Sequence, residues 1–182
     1  MKTTIQLHDK QFKPYISEAQ IQVRVLELGA QISADYKDKC PLFLGVLNGA
    51  FMFAADLMRA CDVNGEIVFV KLSSYEGMQS LGKLITVIGV EKSVVQDRDV
   101  IIVEDILDTG KTLHDFMHTL RNFSPRSLAI ATFLQKPDAL QHDVVADYVG
   151  FKIPNAFVVG YGLDYDGLGR GLSDLYQVEH TM

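Results

Sequence analysis

The spacing of apolar and polar positions changes period along this chain, and each change marks an element. "LFLGVL" (residues 42–47), "EIVFVKL" (66–72), "VIIVED" (100–105) and "SLAIATFL" (127–134) are short, nearly continuous apolar runs with many β-branched residues. Their length and lack of a wetted face predict strands buried on both sides. "NGAFMFAADLMRAC" (48–61) instead repeats apolar residues at helical spacing and leaves Asp56 and Arg59 for the outside. Residues 112–123 also read as an amphipathic helix, with Leu113, Phe116, Met117 and Leu120 on one face. This alternation predicts an α/β fold, a mainly parallel twisted sheet flanked by helices. Ligands of such sheets bind beyond the carboxyl ends of the strands.

Two segments break the rhythm. "SSYEGMQSLGKLITVIG" (73–89) carries polar and glycine punctuation before an apolar run, which predicts an exposed hairpin or mobile loop. Residues 153–176 read as a strand followed by a Gly/Asp-rich loop. Together with the N-terminal residues they are expected to form a small hood over the sheet edge. The expected organisation is one domain spanning 1–182, with a core of about 38–150 and a hood of about 1–20 and 151–182.

Composition narrows the function classes. Seventeen Lys and Arg stand against 23 Asp and Glu, a net charge of -6, which argues against a nucleic-acid partner. No apolar run approaches the roughly 18 residues of a membrane span. "MKTTIQLHDKQFKPY" also lacks the apolar core of a signal peptide, so a cytoplasmic location is expected. Cys40 and Cys61 are too few and unpatterned for a disulfide framework or zinc site, and buried free thiols are expected. His114 and His118 are four apart, but Asp115 stands where a zinc-protease helix needs glutamate.

The chemistry concentrates in "VIIVEDILDTGKTLHDF" (100–116), where a buried strand ends in acids and turns at once into a phosphate-style loop. It is not a nucleoside-triphosphatase loop, because Asp105 occupies the position where that motif needs its first glycine. The Asp105-x-x-Asp108 spacing also differs from the D-x-D of aspartyl-phosphate enzymes. What remains is a strand-to-helix turn whose amides from Asp108 to Thr112, with the Thr109 and Thr112 hydroxyls, suit a phosphate monoester. Glu104 and Asp105 suit hydroxyl groups, bound directly or through Mg²⁺. A sugar phosphate satisfies both halves.

These residues resemble the phosphoribosyl-pyrophosphate signature of the type I phosphoribosyltransferases. "VEDILDTGKT", "SSYEG" before "VIG", "FLQKP" and "VGFKIPNAFVVGYGLDY" occur in the order of the hypoxanthine-guanine phosphoribosyltransferase family and cover roughly residues 41–172. The resemblance implies a Mg²⁺-dependent purine-salvage enzyme. It would transfer ribose 5-phosphate from phosphoribosyl pyrophosphate to hypoxanthine or guanine, giving IMP or GMP and pyrophosphate, as a homodimer or homotetramer. Asp108, Thr109, Gly110, Lys111 and Thr112 would hold the 5-phosphate. Glu104 and Asp105 would hold the ribose hydroxyls and, with Asp164, the metal. Asp108 is implied as the general base. Lys136 would donate to the purine 6-oxo group, Phe157 would stack on the ring, the Val158 backbone would read its edge, and Asp164 would belong to the purine-binding set as well as to the metal's.

The resemblance also puts Asn48, Gly49 and Arg170 against pyrophosphate, and a cis peptide just before that glycine. Asn48 departs from the mammalian pattern, which has lysine there, so no side-chain charge is available from this position. Ser74 and Tyr75 match residues that close over the reacting centre. Two alternatives share the central loop: a xanthine phosphoribosyltransferase, and a nucleotide-sensing, RNA-binding regulator. The scattered basic residues oppose the regulator.

Overall fold

The structure is a computed structural model that describes residues 3–74 and 84–179, with the backbone alone at 73–74 and 84–88. In chain order its elements are β1 (Ile5–Leu7), β2 (Lys10–Ile16), α1 (Glu18–Asp35), β3 (Leu42–Leu47), α2 (Phe51–Ala60), β4 (Glu66–Ser74) and β5 (Leu84–Ile88). There follow α3 (Lys92–Val95), β6 (Asp99–Leu107), α4 (Lys111–Arg121), β7 (Ser127–Gln135), β8 (Tyr148–Lys152), β9 (Val158–Val159) and β10 (Leu175–Val178). The main sheet runs β5-β4-β3-β6-β7-β8. Its strands are parallel except β5, which pairs antiparallel with β4. A second, antiparallel sheet, β1-β2-β10-β9, is made from the two ends of the chain and forms the hood.

The apolar runs are continuous because successive side chains feed two different cores. Phe43, Ile101, Val103 and Phe133 pack on one face with Ile21 and Leu28 of α1 and Phe53 of α2. Their neighbours Leu42, Leu44, Val100 and Ile102 pack on the other with Val95 of α3 and Phe116 of α4. A strand covered on both faces is filled mainly by apolar residues. On β6 the apolar run ends at Glu104, which is itself still buried.

Helix α1 and strand β8 lie outside the elements expected from the pattern. The helix nevertheless has a sequence signature: Ser17 and Gln20 form a reciprocal capping box, and Ile21, Val25, Leu28 and Ile32 repeat at helical spacing on its buried face. Asp56, expected on the outside of α2, is instead largely covered and bonded by Gln22, Arg59 and Tyr161. Cys40 is exposed rather than buried, because it lies just before the strand enters the core. Cys61 is part-buried, and burial pushes its thiol up to about 11. Among the described residues, no helix is long and apolar enough to cross a membrane.

Candidate active site

Strands β3 and β6 are neighbours, but the chain winds away from them in opposite directions along the sheet. Their pairing ends at Gly45↔Val103, whereas β6 stays paired with β7 as far as Leu107↔Gln135. The crevice that opens beyond Val103 is the topological switch point of the fold. Glu104, Ile106 and Asp108 recur every second residue along this free edge, and all three line a cavity of about 210 Å³.

The β6–α4 turn supplies the other wall of that cavity. Gly110 has φ 81°, a left-handed conformation that suits glycine, and serves as the N-terminal cap residue of α4. The first-turn amides of α4, with no acceptor inside the helix, face this end of the sheet. Gly110 and Thr112 line the cavity. Thr109 is exposed, and its carbonyl accepts from the amides of Gln141 and His142 at 3.0 and 3.3 Å. The Lys111 side chain pairs along the helix with Asp115 at 3.2 Å.

Glu104, buried, and Asp105, part-buried, form an acidic pair. The Asp105 amide donates to Glu104 Oε1 at 3.3 Å, and the Ile106 amide donates to Asp105 Oδ1 at 2.7 Å. Burial, reinforced by the Asp105 charge, pushes Glu104 well above the ordinary carboxylate range. Burial raises Asp105 too, opposed by its hydrogen bonds and by the charge of Arg170. Two adjacent oxygen-donor groups short of positive charge suit a hard divalent cation.

Asn48 and Gly49, expected against pyrophosphate, lie directly opposite, between β3 and α2. A Cβ added at Gly49 would overlap Asp105 Oδ2. The cis peptide of this loop is Leu47–Asn48, one bond earlier than the expected position. Asn48 itself is exposed.

A second cavity of about 250 Å³ adjoins the first, and both are lined by Ile106 and Asp108. Its remaining walls include Asp105, Lys136, Phe157, Val158 and Asp164. Lys136 is only 7% exposed, yet its ammonium lies 2.8 Å from Asp108 Oδ2. Its amide donates to Leu107 O at 2.9 Å, which ties the ends of β6 and β7 together. Phe157 and Val158 come from the hood, and Phe157 stays 44% exposed. Asp164 holds Arg170 at 2.7 Å and accepts from the Gly167 amide at 2.7 Å. Arg170 also donates to the Gly162 carbonyl at 2.8 Å.

The turn, the two acids, Lys136, Phe157, Val158 and Asp164 therefore share one continuous cleft. Ser74 ends strand β4, and Tyr75 lies outside the described residues. Ile106 and Leu163, absent from the expected set, line the cleft as well. The period-two relation to Glu104 and Asp108 is the signal that identifies Ile106; Leu163 carries none.

A doubly wound sheet with a phosphate-type turn and paired acids at its switch point defines a class of nucleotide- and sugar-phosphate-binding enzymes. Residues 17–166 match the phosphoribosyl transferase domain, and the chain belongs to the phosphoribosyltransferase family. It is 43% identical over 160 residues to a hypoxanthine-guanine phosphoribosyltransferase of Bacillus subtilis, covering 88% of this chain and 89% of that protein. A hypoxanthine-guanine phosphoribosyltransferase of Mycobacterium bovis is 42% identical over 177 residues, covering 93% and 88%. A crystal structure of a hypoxanthine phosphoribosyltransferase from Staphylococcus aureus superposes with a TM-score of 0.85 at 39% identity, over 92% of this chain and 91% of that one.

Proposed function

We propose that this protein transfers the 5-phosphoribosyl group of phosphoribosyl pyrophosphate to hypoxanthine or guanine, forming IMP or GMP and releasing pyrophosphate in purine salvage. The observation that carries this reading is the position of Asp108. It lines both cavities, the one beside the α4 N-terminus and the one beside Lys136 and Phe157, so a sugar phosphate and a planar base would meet at its carboxylate.

The α4 turn, from Asp108 to Thr112, binds the 5-phosphate through backbone amides, the helix dipole and the threonine hydroxyls. The Lys111 side chain, engaged with Asp115, contributes little beyond its place in the turn. Glu104 and Asp105 take the ribose hydroxyls. As the C1–O bond to pyrophosphate breaks, positive charge develops on the ribose, and these carboxylates lie where they stabilise it.

The purine N9 forms the new bond to C1 while its N7 proton passes to Asp108, so pyrophosphate leaves with the bonding electron pair and no proton is stranded. Lys136 and Asp108 are a donor and an acceptor 2.8 Å apart. A 6-oxopurine offers their complement along one edge, an acceptor at O6 and a proton at N7. Adenine presents a 6-amino donor to the lysine instead. Phe157 stacks on the base and the Val158 backbone reads its edge. Asn48 and Gly49 offer backbone to pyrophosphate, and Arg170 adds positive charge nearby.

Mg²⁺ completes the reading. It would supply positive charge to the pyrophosphate group and the ribose hydroxyls. Glu104 and Asp105 would hold it, directly or through water. Asp164 would do so only by sharing a carboxylate already spanned by Arg170 and Gly167. Core and hood acting as one domain, a homodimer or homotetramer, and a cytoplasmic location belong to the same proposal.

The test is pyrophosphate release from phosphoribosyl pyrophosphate with hypoxanthine, guanine, xanthine and adenine in turn. Turnover with hypoxanthine or guanine, abolished by EDTA and restored by Mg²⁺, is the expected result. Turnover with xanthine alone reassigns the base. No turnover, despite tight binding of phosphoribosyl pyrophosphate, moves the protein to the nucleotide-sensing regulator.

A further inference from the structure

The hood carries an aromatic cluster of which the reaction uses one member, Phe157. Phe157 is fixed through its backbone, where the Val178 amide donates to its carbonyl at 3.0 Å, but the residue is 44% exposed. An exposed ring samples rotamers, and holding one of them on binding costs affinity unless neighbours hold it beforehand. Two rings do so. Phe12 is fully buried with its centroid 6.2 Å away, and Tyr165 meets Phe157 edge-on at 5.6 Å and 82°.

Tyr165 is itself held by the turn between β1 and β2. Its hydroxyl donates to Asp9 Oδ1 at 2.6 Å. The Lys10 ammonium lies 4.6 Å from its ring centroid and 5.8 Å from that of Phe157. The His8 ring stands edge-on to it at 5.5 Å, and the tyrosine amide donates to Leu168 O at 2.8 Å. Tyr165 does not line the purine cleft, although its chain neighbour Asp164 does.

We infer that Tyr165 is a positioning residue: anchored by the N-terminal turn at Asp9 and Lys10, it sets the angle at which Phe157 meets the purine. The inference rests on the reading of Phe157 as the stacking ring. Tyr165 then acts on capture of the base and not on the bond-making step, so the N-terminal residues tune affinity for the base from outside the cleft.

Steady-state kinetics on Tyr165→Leu, Asp9→Ala, Phe157→Ala and the Phe157→Ala/Tyr165→Leu double variant test it. Tyr165→Leu should raise KM for hypoxanthine about threefold to tenfold, the range of one lost edge-to-face contact, with kcat and KM for phosphoribosyl pyrophosphate unchanged. Asp9→Ala, on an exposed turn that does not endanger folding, should shift the same constant about twofold. In the Phe157→Ala background, Tyr165→Leu should add nothing.

An undiminished effect in that background overturns the inference, as does a fall in kcat at constant KM. If Phe157→Ala raises KM while Tyr165→Leu and Asp9→Ala do not, positioning fails and the stacking role stands. If Phe157→Ala leaves KM for hypoxanthine unchanged, the stacking role fails and takes the inference with it.

Discussion

The β6–α4 turn and the β3–α2 turn leave adjacent parallel strands at the same edge of the sheet, and each starts a helix beside the cleft. The first carries its chemistry in side chains. Asp108 reaches Lys136, Thr112 lines the cavity, and Gly110 makes its own left-handed turn. The second, Asn48-Gly49-Ala50, has no acid, no hydroxyl and no side-chain cap on its helix. Its shape is imposed from outside. Asp105 leans on the Gly49 α-carbon from one side, and the Gly162 α-carbon lies against the Gly49 carbonyl from the other. Half of a site can thus be chemically silent in sequence and still be specified, by a residue small enough for its neighbours to converge on.

The comparison breaks most sharply at the side-chain turn. Asp108→Asn keeps the size and loses the base, so kcat should fall about 10²–10⁴-fold while circular dichroism stays unchanged. A fall of less than tenfold would remove Asp108 from the proton transfer. The two glycines come next, and they should fail differently. Gly49→Ala forces Asp105 or the loop to shift at the reacting centre, and kcat/KM for phosphoribosyl pyrophosphate should drop about a hundredfold with little change in Tm. At Gly110→Ala the new Cβ would lie 3.2 Å from a flexible leucine side chain, Leu140, but in left-handed backbone. That variant should lose about 1–2 kcal/mol of folding stability, read from urea melts, with a smaller catalytic defect. Equal loss of activity in both would mean that the two turns are held in the same way.

The same contrast explains what was legible in the sequence. Strands β3, β4, β6 and β7 stand out because burial on both faces keeps their runs apolar, and the break at Glu104-Asp105 marks where the strand reaches the cleft. The sugar-phosphate reading of the β6–α4 turn follows from residues adjacent in the chain. The hood's inner structure does not, since β2 pairs with β10 across some 160 positions and no local period records that register. Nor does the Asp108–Lys136 bond, which depends on β6 and β7 ending side by side. Helix α1 went unread although its capping box and helical apolar spacing mark it; β8, five residues at the sheet edge with mixed burial, lacks so clean a signal.

How firmly the silent turn is held from outside can be measured at Tyr161, next to Gly162. Its hydroxyl donates to Asp56 of α2 at 2.7 Å, which pins the hood loop to the helix that follows Gly49. Tyr161→Phe should cost about 1 kcal/mol of stability and raise KM for phosphoribosyl pyrophosphate more than KM for hypoxanthine. Burial, then the Asp56 bond, pushes this hydroxyl above the ordinary tyrosine value of 10.0. The unfolded chain ionises there first, so the contribution is complete below pH 10 and is lost as pH rises through the folded value. Tyr148 and Tyr36, raised chiefly by burial, add to the same alkaline slope. Tm measured from pH 8 upward should therefore fall less steeply in Tyr161→Phe, though not become flat. An unchanged slope would detach Tyr161 from the hood anchor.

The smallest effect belongs to the residue that looks most like a ligand in the silent turn. Asn48 occupies the position where the mammalian pattern has lysine, but its side chain is exposed, and its carbonyl accepts from the Phe51 amide at 3.4 Å as α2 begins. If that turn works through backbone alone, removing the amide side chain removes nothing that pyrophosphate touches. Asn48→Ala should then leave kcat/KM for phosphoribosyl pyrophosphate within about twofold of wild type, inside the range of a lost surface contact. Asn48→Lys sharpens the point, because a cation added beside an anionic leaving group should lower KM for phosphoribosyl pyrophosphate and make it more salt-dependent. A tenfold loss in Asn48→Ala would show side-chain recognition here, and the two turns would then differ in degree and not in kind.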